Sequence, residues 1–279
     1  MKRFNFYLSR PQQHHFRHLI TTMILWVGVH TISQLSQVQR HLWDRDQSNI
    51  NRFINRAHWQ AEWLRKIRWQ WVREQIRAVL PTLCLAKPEA PVTGYLVIDD
   101  TVVKKTGKKM AGLGWHYCHS EGRKVWGHCY VTALYVIAGF AYPVQTLLYQ
   151  QRATCDTQGI KFCSKLELAA SIIRSFQPVP GTRTVVLFDS WYSSEAVIKA
   201  ALSRGFKVAC ALKSNRVVGK SSGSGRVKGS SLKNLAAQST MEVHLVTVNN
   251  HTYSGPAVRR STQRRLKSQH LDHECSGTG

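Results

Sequence analysis

The chain has 279 residues and sets 39 Lys and Arg against 15 Asp and Glu, a formal net charge of +24. An excess of that size repels itself unless a polyanion neutralises it, and nucleic acid is the polyanion that fits best. A hydrophobic content of 43% with nine Trp and nine Tyr excludes disorder throughout, while seven irregularly spaced Cys exclude a disulfide framework and fit reduced thiols in a cytoplasmic protein.

From the N-terminus, the first apolar stretch is Leu19 to Ile32, interrupted by Thr21, Thr22, His30 and Thr31. It is too short and too polar to cross a bilayer, which needs roughly 20 apolar residues. Met1-Lys2-Arg3 imitates a signal peptide, but Arg10, His14, His15, Arg17 and His18 intervene and no small-residue cleavage site follows. The spacing of Leu19, Ile20, Met23, Ile24 and Val27 predicts a core helix with one buried face. Ser48, with Asn49 and Asn51 behind it, is a candidate cap for a short helix through Phe53 and Ile54. Trp59, Trp63, Ile67, Trp71, Ile76, Val79 and Leu80 predict a longer helix whose other face carries Arg65, Lys66, Arg68, Arg73 and Arg77. That cationic face is either a solvated surface or a DNA contact. Pro81, then Lys87-Pro88-Glu89-Ala90-Pro91, predict a break and a linker.

Beyond residue 93 the hydrophobic period shortens. Runs over 94–100, 111–119 and 126–137 suit three adjacent antiparallel strands, with Pro143 ending the third. Leu166, Leu168, Ala169, Ile172 and Ile173 predict a helix over 165–176, followed by a strand over 185–189, a helix over 194–202 and a strand over 206–212. Three strands, helix, strand, helix, strand is the order of an α/β, ribonuclease-H-like mixed sheet, in which the first and fourth strands are neighbours.

Two of these strands end alike. Tyr95-Leu96-Val97-Ile98 runs into Asp99-Asp100, and Val185-Val186-Leu187-Phe188 runs into Asp189. Carboxylates at the ends of neighbouring strands repel unless a divalent cation lies between them, and all-oxygen ligation suits Mg²⁺ or Mn²⁺. Alternation along a strand allows only one of Asp99 and Asp100 to face such a site. In so basic a chain, the pair points to metal-dependent phosphodiester chemistry on nucleic acid. A zinc site drawn from His116, Cys118, His119, His128 and Cys129 is the weaker reading, because alternation splits neighbours such as His128 and Cys129 between two faces.

Further on, Ser221 to Gly225 reads as a flexible joint, Met241 to Val248 and Thr252-Tyr253 read as strands, and 256–279 reads as a basic tail without a core face.

The ordered set Val97-Ile98-Asp99-Asp100-Thr101, Lys104-Lys105-Thr106-Gly107, Tyr117, Gly122-Arg123-Lys124, Gly127-His128, Pro143, Phe188-Asp189-Ser190-Trp191-Tyr192 and Lys213-Ser214-Asn215-Arg216 resembles the insertion-sequence transposases of the DDE superfamily. Pro11-Gln12 and Arg52-Phe53-Ile54 followed by Trp59 resemble the helical N-terminal region of that family. The resemblance covers roughly residues 10–255. It implies a catalytic domain in which Asp100 and Asp189 ligate Mg²⁺ or Mn²⁺, with Asp99 the competing ligand, for cleavage and strand transfer at element ends.

In that setting Lys104, Lys105, Lys213 and Arg216 are candidate phosphate contacts, and Trp191 and Tyr192 either stack on bases or pack the following helix. The family's third carboxylate is a Glu on a helix beyond a β-rich insertion. Here only Glu195, Glu242, Asp272 and Glu274 follow Asp189, none in that context, which implies a C-terminally truncated copy whose DNA binding outlasts its catalysis.

The expected organisation is therefore a helical DNA-binding region over 1–90, a catalytic core over 91–216, the start of a β insertion over 217–255 and a disordered tail over 256–279. The expected partner is double-stranded DNA, as element ends and as target, bound by a homodimer, with no membrane partner and a nucleoid-associated cytoplasmic location. The alternatives are a non-catalytic DNA-binding protein that regulates an intact transposase, and a related nuclease with a different third ligand.

Overall fold

The computed structural model describes residues 8–28, 30–44, 46–84, 91–211, 217–218, 230–231, 243–248 and 251–256. Three helices open the chain: α1 (Arg10–Leu25), α2 (Ile32–Trp43) and α3 (Gln47–Arg56). Ser9 and Gln12 close a capping box on α1, with Pro11 in its first turn, and the Thr31 hydroxyl caps α2. Leu8, Leu19, Leu35, Ile50 and Phe53 form their common core, with Phe16, Trp26 and Trp59 against it.

Two expectations are corrected here. The packing face of α1 runs through Leu19, Thr22 and Trp26, so Met23, Ile24 and Val27 are exposed rather than buried. Ser48 lies inside α3, whose N-cap is Asp46, and its hydroxyl donates to Asp46 Oδ2 at 2.7 Å.

The helix α4 (Ala61–Cys84) belongs to a different core. Trp69, Val72, Ile76 and Leu80 recur at three-and-four spacing and are buried with the residues of a β-sheet. The helical region thus divides near residue 60. Pro81 does not end this helix. The hydrogen bond it removes would have gone to the carbonyl of Arg77, on an exposed turn. Residues 85–90 of the expected linker lie outside the described residues.

The main sheet holds β1 (Thr93–Lys104), β2 (Gly114–Cys118), β3 (Arg123–Ile137), β4 (Phe140–Tyr149), β5 (Arg183–Phe188) and β6 (Lys207–Cys210). Its order is β2-β3-β1-β5-β6, with β4 also on β3. β1 is antiparallel to β3 and parallel to β5, as a ribonuclease-H-like core requires. The outer edge of β3 is shared, since Arg123 to Gly127 pair with β2 and Cys129 to Ile137 pair with β4. The helices α5 (Arg152–Gln158), α6 (Lys165–Ser175) and α7 (Glu195–Leu202) complete the unit, and α6 and α7 bury Ile172, Ile173, Val197 and Ala201 in the sheet's core.

Pro143 does not end the third strand. β3 stops at Ile137 because Ala138 (φ 51°) and Gly139 (φ 81°) are both left-handed, the conformation of a two-residue hairpin turn. Pro143 lies in β4 at a bulge, where Ala133 pairs with Gln145 and Leu134 with Pro143, leaving Val144 extra. A bulge tolerates the missing proline N–H and leaves backbone groups unpaired. The Arg68 guanidinium takes them up, donating to the Val144 carbonyl at 2.8 Å and to that of Pro143, which ties α4 to the sheet.

A second, smaller sheet has the order β10-β9-β7-β8 from β7 (Val217–Val218), β8 (Ser230–Ser231), β9 (Val243–Val248) and β10 (His251–Pro256). The tail from 257 onward lies outside the described residues. No described helix is long and apolar enough to cross a membrane.

Candidate active site

The last residue pair joining β1 to β5 is Ile98 with Phe188. Asp99 and Asp100 therefore lie in β1 just past the end of its pairing with β5, and Asp189 follows the last residue of β5, at the same end of two adjacent parallel strands. Asp189 starts the turn into α7: its Oδ1 accepts the backbone N–H groups of Trp191 (3.0 Å) and Tyr192 (3.2 Å). That turn brings Tyr192 back under the sheet, fully buried, with its hydroxyl donating to Asp100 Oδ1 at 3.1 Å. One residue thus ties both carboxylates together, through its backbone to Asp189 and through its phenol to Asp100.

Alternation decides between the two β1 carboxylates. Leu96 and Ile98 point into the core, so Asp100 projects from that same face, toward α6. Its Oδ2 meets the Lys165 ammonium at 2.6 Å and the Cys129 thiol at 3.7 Å, in a pocket where both charged side chains are about one-fifth exposed. Asp99 faces the other way, exposed, with Oδ1 accepting the N–H of Asp100 at 2.8 Å.

Lys165 was not singled out from the sequence, although a signal was present. Ser164 and Glu167 form a capping box, which places Lys165 in the first turn of α6. A cation there opposes the helix dipole and needs a carboxylate partner. It finds one in Asp100, and its ammonium also lies 5.5 Å from the ring centroids of Tyr149 and Trp191. Burial disfavours its charge, but the hydrogen bond and charge of Asp100 outweigh that, so the Lys165 pKa is raised. Burial first, then the Asp100 charge, push the Tyr192 phenol far above its ordinary value. The Cys129 thiol is raised chiefly by burial. Burial and the Lys165 charge hold His116 below the ordinary imidazole value. The pocket thus holds one ion pair surrounded by groups kept neutral.

The other sequence candidates fall in different places. Lys104 ends β1 and pairs with Glu121, and the Lys105 backbone N–H donates to the Trp126 carbonyl at 3.0 Å. Trp191 is 42% exposed beside Lys165, whereas burial leaves Tyr192 no ring face to offer a base. Lys213 and Arg216 lie outside the described residues.

Among the described residues no third carboxylate joins Asp100 and Asp189. Glu167 caps α6, Glu195 pairs with Lys199 and Glu121 pairs with Lys104 and Arg123. Glu242, Asp272 and Glu274 lie outside the described residues. No group of three or more His, Cys, Asp or Glu among the described residues is placed to hold a metal ion, the zinc candidates included. What the site does offer is carboxylate oxygen. The described residues give Asp189 Oδ2 no hydrogen bond, and the ammonium at Asp100 Oδ2 shows that this position takes a cation.

Comparison with known proteins bears on the family of the chain. The family model of the DDE superfamily endonucleases matches residues 3–265. A curated relative, the "Probable transposase for insertion sequence element IS701" of Microchaete diplosiphon, is 26% identical over 147 residues, which cover 53% of this chain and 35% of that protein. The alignment thus spans about a third of the length of that relative. No solved structure matches the chain.

Proposed function

Because the chain belongs to the DDE superfamily endonucleases, we propose that it is a DNA transposase in which Asp100 and Asp189 supply two of the carboxylates for strand cleavage and transfer at the ends of an insertion element. The observation that carries this reading is the tie made by Tyr192, whose backbone N–H holds Asp189 and whose phenol holds Asp100 at one end of two parallel strands.

Asp100 and Asp189 would hold Mg²⁺ or Mn²⁺, which when bound activates the attacking hydroxyl and stabilises the leaving oxygen of an in-line displacement. The protein's own part is to fix the carboxylates. Tyr192 stays protonated and donates to Asp100, which aims that carboxylate without competing for its proton. The two N–H bonds on Asp189 Oδ1 fix its rotamer and leave Oδ2 to ligate. Trp191, exposed at the rim, is placed to stack on a nucleotide, and Lys105, beyond the end of β1, to meet the backbone.

A second reading, a non-catalytic DNA-binding protein that interferes with an active transposase, draws on the ion pair, in which Lys165 already neutralises Asp100. Nicking of supercoiled plasmid decides between them. Cleavage that requires Mg²⁺ or Mn²⁺ and disappears in both Asp100→Asn and Asp189→Asn supports the transposase. Absence of metal-dependent nicking alongside retained DNA binding supports the second reading.

A further inference from the structure

We propose that α2 and α3 form a helix-turn-helix and that the exposed face of α3 reads base edges in the major groove of double-stranded DNA. This rests on reading the chain as a DNA-binding protein, and it names the surface that supplies sequence discrimination.

Three residues, 44–46, separate the end of α2 at Trp43 from the start of α3 at Gln47. Asp44 caps α2 in the left-handed region (φ 50°), which reverses the chain in the short span such a motif needs. The inner side of α3 is fixed. Ile50 and Phe53 are buried against Leu35 of α2 and Leu19 of α1, and Trp59 braces the helix from below. The Trp59 indole donates to the Ile54 carbonyl at 3.0 Å and its ring lies 4.9 Å from that of Phe53.

The outer side is chemically uniform. Gln47, Ser48, Asn51, Arg52, Asn55 and Arg56 are all exposed and all carry hydrogen-bonding side chains. A solvated helix face normally mixes acids with bases. Here none of α1, α2 and α3 contains a single Asp or Glu; the acids nearest to α3 are Asp44 and Asp46 in the turn before it, and Asp46 is paired with Arg40 at 3.7 Å. The residue types match base edges: an amide pairs in two places with adenine, and a guanidinium does so with guanine. The Asn55 amide donates to the side-chain and backbone oxygens of Asn51, one turn earlier, which orients the Asn51 side chain before any contact is made. With side chains an α-helix is about 10–12 Å across, which fits a major groove about 12 Å wide. An acidic protein partner would select cations rather than amides, so the amides favour DNA.

The test is selection from a duplex library with a randomised centre, using the full chain in EDTA so that no strand is cut. The wild type should enrich a defined motif, and dimethyl sulfate should show guanine N7 within it protected. Asn51→Ala and Arg52→Ala should each lower the ratio of specific to non-specific affinity about tenfold or more, the scale of one bidentate base contact. Binding to unrelated duplex should change by less than about threefold, as for loss of at most one phosphate contact. Arg52→Lys keeps the charge but loses the fork, and should lose discrimination as Arg52→Ala does.

Enrichment of no motif by the wild type, or of the same motif with unchanged preference by all three variants, overturns the proposal. Metal-dependent nicking would be untouched by that failure. Conversely, failure of the active-site reading would leave the selected motif intact, so the two are read separately.

Discussion

Lys165 sets its ammonium 2.6 Å from Asp100 Oδ2, and the pair is held between the rings of Tyr149 and Trp191. The lysine comes from the first turn of α6 and the aspartate from β1, so the contact locks helix to strand at the point where the carboxylates emerge.

Lys165→Met should leave Asp100 partly buried without its counter-charge. A loss of about 1–3 kcal/mol in unfolding free energy is expected, less than for a fully buried pair because both side chains reach solvent. The pH dependence has a definite sign. The folded pKa of Lys165 is raised, so its contribution is fully present below the unfolded value of about 10.4 and is lost as pH rises through the folded value. Urea titrations of both proteins should therefore differ by a constant amount from pH 7 to about pH 10 and converge above that. A difference that already shrinks between pH 7 and 9 would contradict the ion pair. Mn²⁺ bound at Asp100 should restore part of the lost stability in the variant.

Asp99→Asn and Asp100→Asn should separate cleanly, because alternation turns Asp99 out of the pocket. In a Mn²⁺-dependent nicking assay, Asp100→Asn is expected to lose about a thousandfold or more in rate, while Asp99→Asn stays within about tenfold of wild type. Equal losses would show that the face assignment does not govern ligation.

Tyr192→Phe keeps the buried ring and removes only the hydroxyl that donates to Asp100. Its cost should be about 1.5–3 kcal/mol, the range of one hydrogen bond to a charged acceptor. Thermal unfolding in the absence of metal measures it. A nicking rate that falls further than the stability change can explain would identify the phenol as a positioning group.

Gly127 sits where β3 passes between β1 and β2, and a Cβ there would come within 2.2 Å of the Val103 carbonyl oxygen. That obstacle is backbone within a sheet and cannot swing aside. Gly127→Ala should destabilise by about 1–3 kcal/mol, read as a lower urea midpoint with an unchanged slope. A midpoint equal to wild type would mean that the three strands do not cross this closely.

DNA affinity should fall steeply with salt, since the chain carries a formal +24. Each neutralised phosphate adds about −0.9 to the slope of log affinity against log salt concentration. Fluorescence anisotropy at two salt concentrations suffices, and an affinity indifferent to salt would rule out phosphate contacts as its source.

Much of this molecule was legible in its sequence. Strands and helices with strong periods, such as 94–100, 165–176 and 194–202, read correctly because period and burial agree there. So did the two apolar runs before Asp100 and Asp189 as neighbouring strands, although β1 continues past Asp100 to Lys104 because β3 goes on pairing with it. The resemblance carried by Asp100-Thr101, Asp189-Ser190-Trp191-Tyr192 and their neighbours reached the same family as the comparisons.

What the sequence left open was settled by contacts between distant residues. The period of α1 did not show which side packs, because that depends on where α2 and α3 lie, and Met23 and Ile24 turned outward while Thr22 was buried. Pro81 and Pro143 read locally as stops. An exposed turn in one case, and a bulge served by Arg68 in the other, let helix and strand continue. Lys165 and Tyr192 acquired their roles only when α6 and the turn before α7 brought them to Asp100, across 65 and 92 positions of chain. Periodicity records what one segment needs to bury. The partner of a charge is chosen by the fold.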